Sequence, residues 1–144
     1  MLGLLGAGLV MGIAALGSAI GIGIAGQAAI GAWKRCYIAN KPAPMTLLTF
    51  AGAPLTQTFY GFILLGQIKA AAIANPDNGW LYLGFGIGSG LALAFSAIAQ
   101  GQAGAAASDA QGETGKGFAQ YIAVVGICET VALFAMVLSM VSLA

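Results

Sequence analysis

Charged residues divide this chain into four long segments, and this pattern limits how the chain can fold more than any other feature. Residues 1–33, 42–68 and 78–108 contain no charged side chain, and residues 117–144 contain one, Glu129. A helix that crosses a membrane needs about 20 consecutive apolar residues, and each segment is longer than that. The pattern predicts an all-α membrane protein with four transmembrane helices.

The composition indicates that lipid is the solvent for most of the chain. Hydrophobic residues make up 60% of the 144 residues and charged residues only 6%, whereas soluble domains contain roughly 25% charged residues. The formal net charge of +1 is too small to indicate a nucleic-acid partner, so we expect none.

The uncharged segments also set the predicted domain organisation. We expect a single membrane domain over 1–144, with a first hairpin at 1–74 and a second at 79–144. The four helices are predicted near residues 2–33, 45–74, 79–107 and 117–143.

Cytoplasmic loops are enriched in Lys and Arg, and the loops 34–44 and 109–117 contain four of the five basic residues. These loops are therefore predicted to be cytoplasmic, with both termini on the opposite side.

The two predicted hairpins resemble each other. Residues 18–32 read SAIGIGIAGQAAIGA and residues 96–110 read SAIAQGQAGAAASDA, an offset of 78 positions. The loop within the second hairpin is shorter than the loop within the first, so the second and fourth helices align at an offset of 72. In this alignment Glu129 corresponds to Gln57. A repeat of this kind predicts one helical hairpin used twice in parallel orientation.

Glycine is concentrated in the first and third predicted helices. Gly8 and Gly12 lie four residues apart, and so do Gly17 and Gly21. Small residues at this spacing allow helix backbones to approach closely inside a membrane. The pattern fits ordinary packing within a monomeric bundle, or an inner circle of helices in a ring of many copies.

Glu129 lies near the middle of the fourth helix, 12 residues after Gly117 and 15 before Ala144. An ionisable side chain at this depth is costly and by default indicates a functional site. We predict that Glu129 either holds a proton or binds a cation that neutralises it. The alternative is a protonated glutamic acid with a structural role alone.

Polar side chains at a similar depth distinguish between these ions. Thr56, Gln57 and Tyr60 share one face of the second helix, and Gln100 lies on the third. A proton needs only a shielded carboxyl group, whereas a hard cation such as Na⁺ needs several oxygen ligands. Hydroxyl, amide and carboxylate oxygens of this set could provide them. Alternatively, these groups only form hydrogen bonds between helices.

Three segments together resemble a known family: PLTQTFYGF in the second helix, FSAIAQGQAGAAA in the third and ICETVALF in the fourth. The chain resembles the rotor-ring proteolipid of vacuolar/archaeal-type ATPases, with the greatest likeness to sodium-transporting bacterial members. The resemblance covers nearly the whole chain. Val131, two residues after Glu129, departs from close relatives that carry an aromatic residue there.

The resemblance implies a non-catalytic rotor-ring subunit that carries one Na⁺ past a stator, while ATP is hydrolysed in other subunits; H⁺ is the alternative ion. It implies a ring of about ten identical copies. It also implies a stator subunit with an essential arginine, a central-shaft subunit at the cytoplasmic loops, and a bacterial plasma membrane as the location.

The resemblance further assigns the site residues. The sodium ligands of the family match, in chain order, the backbone carbonyl of Ala53 and the side chains of Thr56, Gln57, Gln100 and Glu129. A tyrosine that hydrogen-bonds the carboxylate matches Tyr60.

Two other functions are compatible with four apolar helices. A small four-helix multidrug exporter also uses a single membrane glutamate, but we expect that carboxylate in the first helix, which is uncharged here. A gap-junction-like or purely structural channel is the other alternative.

Overall fold

The computed structural model describes residues 1–143, which are helical almost throughout and form four rods long and apolar enough to cross a membrane. The elements are α1 (Leu2–Ile38), α2 (Leu47–Gly52), α3 (Thr56–Ala74), α4 (Gly79–Thr114) and α5 (Phe118–Leu143). A 3₁₀ turn at Ala53–Leu55 joins α2 and α3 into the second rod, and another at Pro76–Asn78 precedes α4.

Two helices continue beyond the ends predicted from charge. α1 runs through the basic residues to Ile38, and α4 runs to Thr114 rather than stopping near residue 107. Charged side chains outside the hydrocarbon do not interrupt a helix, so the charges mark the membrane boundary and not the helix end. α4 ends where Gly115 adopts a left-handed conformation, with φ of 67°, and its N–H bonds the carbonyl of Gln111 at 2.8 Å, a common way to end a helix.

α1 and α4 form the close-packed centre of the molecule. A β-carbon placed on Gly86 would overlap the backbone of Gly6, and one placed on Gly101 would overlap the backbone of Gly21. α4 also packs against the second rod, where a β-carbon on Gly104 would lie 2.8 Å from the carbonyl oxygen of Phe50. Gly17 and Gly21 therefore permit the close contact between helices that their spacing predicts. Gly8 and Gly12 do not take part in it, because β-carbons placed there would meet no atom within 4 Å.

The outer surface is formed largely by α3 and α5 and is strongly apolar. Phe59 and Phe62 on α3 are 60% and 61% exposed, and Ile127 and Phe134 on α5 are both 67% exposed. Large apolar side chains on this scale face lipid, because water would make their exposure costly. Together with the four spanning helices, this surface establishes an integral membrane protein.

The interior consists of two apolar clusters separated by a polar layer. One cluster is built around Val10, Leu64 and Leu93, toward the end where α3 is joined to α4. The other is built around Ala29 and Phe50, toward the opposite end. The polar side chains that the sequence pattern singles out fall between these clusters, near mid-height of the rods.

Candidate ion-binding site

Glu129 on α5 is half-buried and accepts a hydrogen bond on each carboxylate oxygen. The hydroxyl of Tyr60 on α3 donates to Oε1 at 2.5 Å, and Nε2 of Gln100 on α4 donates to Oε2 at 3.4 Å. Side chains from three helices therefore meet at this group.

The two glutamines form the buried centre of the site. Gln57 is 0% exposed and Gln100 is 1% exposed. Nε2 of Gln57 donates to Oε1 of Gln100 at 2.9 Å, and Nε2 of Gln100 also donates to the carbonyl of Val125 at 3.1 Å. A buried amide without partners costs about 1–3 kcal/mol, so these bonds fix the relative positions of α3, α4 and α5.

Three oxygen atoms lie together at the 3₁₀ turn. The hydroxyl of Thr56 is 3.0 Å from the carbonyl oxygen of Ala53 and 3.2 Å from Oε1 of Gln57. Pro54 lacks an N–H and interrupts the helical ladder at this point, and the turn aims the Ala53 carbonyl at Thr56. The carbonyl of Phe50, which the proline deprives of its usual partner, faces Gly104 instead of this cluster.

Ser96 on α4 belongs to the same network, although the sequence pattern alone did not single it out. It is 4% exposed, accepts a hydrogen bond from Nε2 of Gln57 at 3.4 Å, and donates to the carbonyl of Cys128 at 2.7 Å. Its position four residues before Gln100 on one helix face is the signal that could have revealed it.

Within residues 1–143, Glu129 has only neutral hydrogen-bond donors. The ion pair that the structure contains in this range joins Arg35 and Asp109, at the loop end of α1 and α4. A bare carboxylate inside a membrane is costly. Balance of charge at Glu129 must therefore come from a proton, a bound cation or a basic group outside this chain.

The structure thus brings all six predicted residues into one network. Tyr60 and Gln100 contact Glu129 directly, Gln57 contacts Gln100, and Thr56 links Gln57 to the Ala53 carbonyl. No group of three or more Cys, Asp or Glu side chains suited to a transition metal occurs in the described part of the chain. The donor set consists of oxygens and amides around one carboxylate.

Comparisons with known proteins agree with this arrangement. A sequence model of the ATP synthase C subunit matches the chain twice, over residues 5–65 and 83–142. The chain is 33% identical over 144 residues to A-type ATP synthase subunit K of Methanocaldococcus jannaschii, an alignment that covers 99% of this chain and 62% of the relative. This chain therefore spans less than two thirds of that relative's length.

The two family matches start 78 residues apart, which is the offset found between the first and third predicted helices. The predicted duplication of the hairpin is thereby confirmed, and the exporter and channel interpretations are set aside. The chain belongs to the ATP synthase C subunit family, as a member that contains the helical hairpin twice.

Proposed function

We propose that this chain is an ion-carrying subunit in the rotor ring of an A/V-type rotary ATPase, and that the ion is Na⁺. Membership of the ATP synthase C subunit family and the name of the M. jannaschii relative support the rotor assignment. The observation that carries the ion assignment is the pair of fully buried amides, Gln57 and Gln100, beside a carboxylate that has no basic partner among residues 1–143.

Sodium explains this construction better than a proton does. A proton carrier needs only the Glu129 carboxyl, and two buried glutamines would then serve no purpose beyond packing. Na⁺ replaces its water shell with oxygen ligands, and the cluster of oxygens at Thr56 lies next to Gln57 in the same network. Ion binding requires amide oxygens to face the cation, so the proposal includes a rotation of the Gln100 amide away from its present bond to Glu129. H⁺ remains the alternative ion.

The proposed transport step depends on charge balance at Glu129. While this group faces lipid, its ion neutralises it, because a bare charge there costs several kcal/mol. Glu129 lies on α5 beside the exposed residues Ile127 and Val131, so a stator can approach it from the outer surface. A stator arginine opposite the carboxylate makes the bare charge tolerable, and the ion is exchanged through an aqueous half-channel. ATP is hydrolysed in other subunits.

The proposed partners follow from the same assignment. About ten identical copies form the ring through repeated head-to-tail contacts, and a shaft subunit docks where α1 meets α2 and α4 meets α5. This end contains Lys34, Arg35, Lys41 and Lys116. From the positive-inside rule we propose that this end lies in the cytoplasm, and the proposed membrane is the plasma membrane of a bacterium.

Carbodiimide labelling tests whether Glu129 is the ion-carrying group. Dicyclohexylcarbodiimide reacts with protonated carboxyls in apolar surroundings, so we expect labelling at Glu129 and none at Asp109 or Glu113, which are exposed at the loop end. Added Na⁺ is expected to protect Glu129, more strongly at higher pH, because fewer protons then compete for the carboxylate. Mass spectrometry of the labelled protein gives the site and the rate. A labelling rate unchanged by sodium over a wide concentration range contradicts the sodium assignment.

Ser96→Ala tests the contribution of the residue that the structure adds to the site. The substitution leaves one amide hydrogen of Gln57 without a partner and removes the second hydrogen bond to the carbonyl of Cys128, which lies inside α5. A lost hydrogen bond of about 1 kcal/mol corresponds to a roughly fivefold weaker affinity for Na⁺, measured by equilibrium binding of radiolabelled sodium. Ser142→Ala is the control, because that exposed serine bonds only the carbonyl of Leu138 in its own helix. Equal affinities in the two variants would refute a role for Ser96.

A further inference from the structure

Gln67 is an exposed amide on the outer surface of the second rod. It lies in the half of the molecule toward the far end, which is the end where α3 is joined to α4. Within residues 1–143, the α3 side chains that form hydrogen bonds are Thr56, Gln57 and Tyr60, and Gln67 forms none in this range. An amide without a partner is costly in hydrocarbon, so Gln67 needs a partner from outside the chain.

The depth of Gln67 follows from its distance along α3. Tyr60 contacts Glu129 near mid-height of the rods, and Gln67 comes two turns later, about 10 Å further along the helix axis. The hydrocarbon core extends about 15 Å from its midplane. Gln67 therefore lies inside the core, whereas Lys69, about 3 Å further along, lies near its edge and can extend its ammonium group to the headgroups.

Gln67 also lies on the edge of α3 that faces α5. Its separation from Tyr60 is nearly two full turns of an α-helix, so the two side chains project from the same face. From this face Tyr60 donates its hydrogen bond to Glu129 of α5. Gln67 thus lies between the candidate ion site and the far end, on the outer surface that a stator would approach.

The neighbouring exposed positions along this edge are apolar. On α5, Leu133 and Val137 follow Glu129 at intervals of four residues and are 39% and 47% exposed. On α3, Ile63 is 42% exposed. The Gln67 amide therefore interrupts an apolar surface with a group that binds water or a cation through its carbonyl oxygen.

The nearest positive charge on α3 is directed away from this edge. Lys69 follows Gln67 by two positions, a rotation of about 200° around the helix axis. The ammonium group would repel a passing cation, and it lies on the other side of the helix. A neutral amide oxygen occupies the edge instead, which is the arrangement that suits the passage of a cation.

We propose that Gln67 lines the route by which the carried cation passes between Glu129 and the far side of the membrane. The inference rests on the proposed function, in which the ion is exchanged with water while Glu129 faces the stator. In that position the Gln67 amide binds water or the partly hydrated cation, about two turns away from the carboxylate. Gln67 then affects how fast the ion is exchanged and not how tightly Glu129 holds it, because the two groups are too far apart to bind the same ion.

Gln67→Leu tests this separation of rate from affinity. The variant is expected to fold, because the side chain has no hydrogen bond within residues 1–143 to lose. In the complete ATPase reconstituted into vesicles, we expect the maximal rate of ATP-driven ion uptake to fall about fivefold, the effect of one lost hydrogen bond. Equilibrium binding of the ion to the purified ring is expected to match the wild type. Uptake is measured with ²²Na⁺, or with a pH-sensitive dye if the carried ion is H⁺.

Gln67→Asn and Gln120→Leu are the matched controls. Asparagine keeps the amide at the same position, so Gln67→Asn is expected to retain most of the wild-type rate. Gln120 is also an exposed amide, but it lies near the start of α5, on the loop side of Glu129. Gln120→Leu makes the same chemical change outside the proposed route and is expected to leave the rate unchanged.

Each other outcome counts against a stated part of the proposal. A wild-type rate in Gln67→Leu overturns the route and leaves the proposed function standing. An equal loss in Gln120→Leu or in Gln67→Asn overturns it too, because the rate would then not depend on an amide at this place. A changed equilibrium affinity in Gln67→Leu contradicts the separation of rate from affinity. A wild-type complex that carries neither Na⁺ nor H⁺ overturns the proposed function and this inference together.

Discussion

Glu129→Gln is expected to abolish ion-coupled ATP hydrolysis in the assembled ATPase while leaving the oligomer intact. The amide keeps the size of the side chain and still accepts the hydrogen bond from Tyr60. It presents no negative charge, so it neither binds a cation strongly nor responds to a stator arginine. The expected loss is complete within detection, since no other acidic residue lies between Asp77 and Asp109 or in α5.

The measurement compares sodium-dependent ATP hydrolysis and ion uptake in reconstituted vesicles containing the wild-type or variant ring. Glu113→Gln removes a carboxylate from the exposed loop end and is expected to retain both activities. Native mass spectrometry establishes that the variant oligomer has assembled. Coupled transport by an assembled Glu129→Gln ring would remove Glu129 from the carrier role.

The spanning helices and the site could be predicted from sequence for a physical reason. Lipid excludes charge, so the distribution of nine charged residues along the chain defines the four spans. The same exclusion makes Glu129 conspicuous, and the polar residues of the second and third helices fall at the same depth. Membrane insertion therefore makes the pattern simpler to interpret than that of a soluble domain.

Other features depended on contacts that sequence spacing does not contain. The helix ends at the loop side follow from local geometry: Gly115 ends α4, and Trp33 donates to the Pro44 carbonyl at 2.8 Å across the first loop. The participation of Ser96 depends on how α4 is rotated relative to α3 and α5. The orientation of each amide depends on the whole hydrogen-bond network, because nitrogen and oxygen occupy nearly equal space.

Under the proposed function, the duplication also explains why we expect one ion site per chain and not two. Under the repeat, Gln57 occupies the position of Glu129, Ile22 that of Gln100, and Ala132 that of Tyr60. The equivalent position in the other half thus lacks the carboxylate, the amide and the phenol together. A single substitution at Gln57 would not recreate the second site, because the positions equivalent to Gln100 and Tyr60 are apolar as well.

Gln57→Leu and Gln100→Leu are expected to separate the two ions. If Glu129 carries Na⁺, each glutamine supplies an oxygen that replaces lost water, and the loss of one ligand at about 1.4 kcal/mol weakens the affinity by about tenfold. The effect at Gln57 extends to Gln100, since the two amides are bonded at 2.9 Å. If Glu129 carries a proton, the carboxyl remains in a shielded position and transport changes little.

The deciding measurement is equilibrium binding of radiolabelled sodium to purified wild-type and variant rings at fixed pH. Gln67→Leu is the matched control, because Gln67 lies on the same helix but is exposed; it is expected to bind sodium like the wild type. Carbodiimide labelling of Glu129 is expected to persist in both site variants while losing its protection by sodium, because the carboxyl remains and the cation ligands do not. Wild-type rings that bind no sodium at millimolar concentrations would exclude Na⁺ as the carried ion. The rotor-ring assignment would stand, because it rests on the family and the duplicated hairpin and not on the identity of the ion.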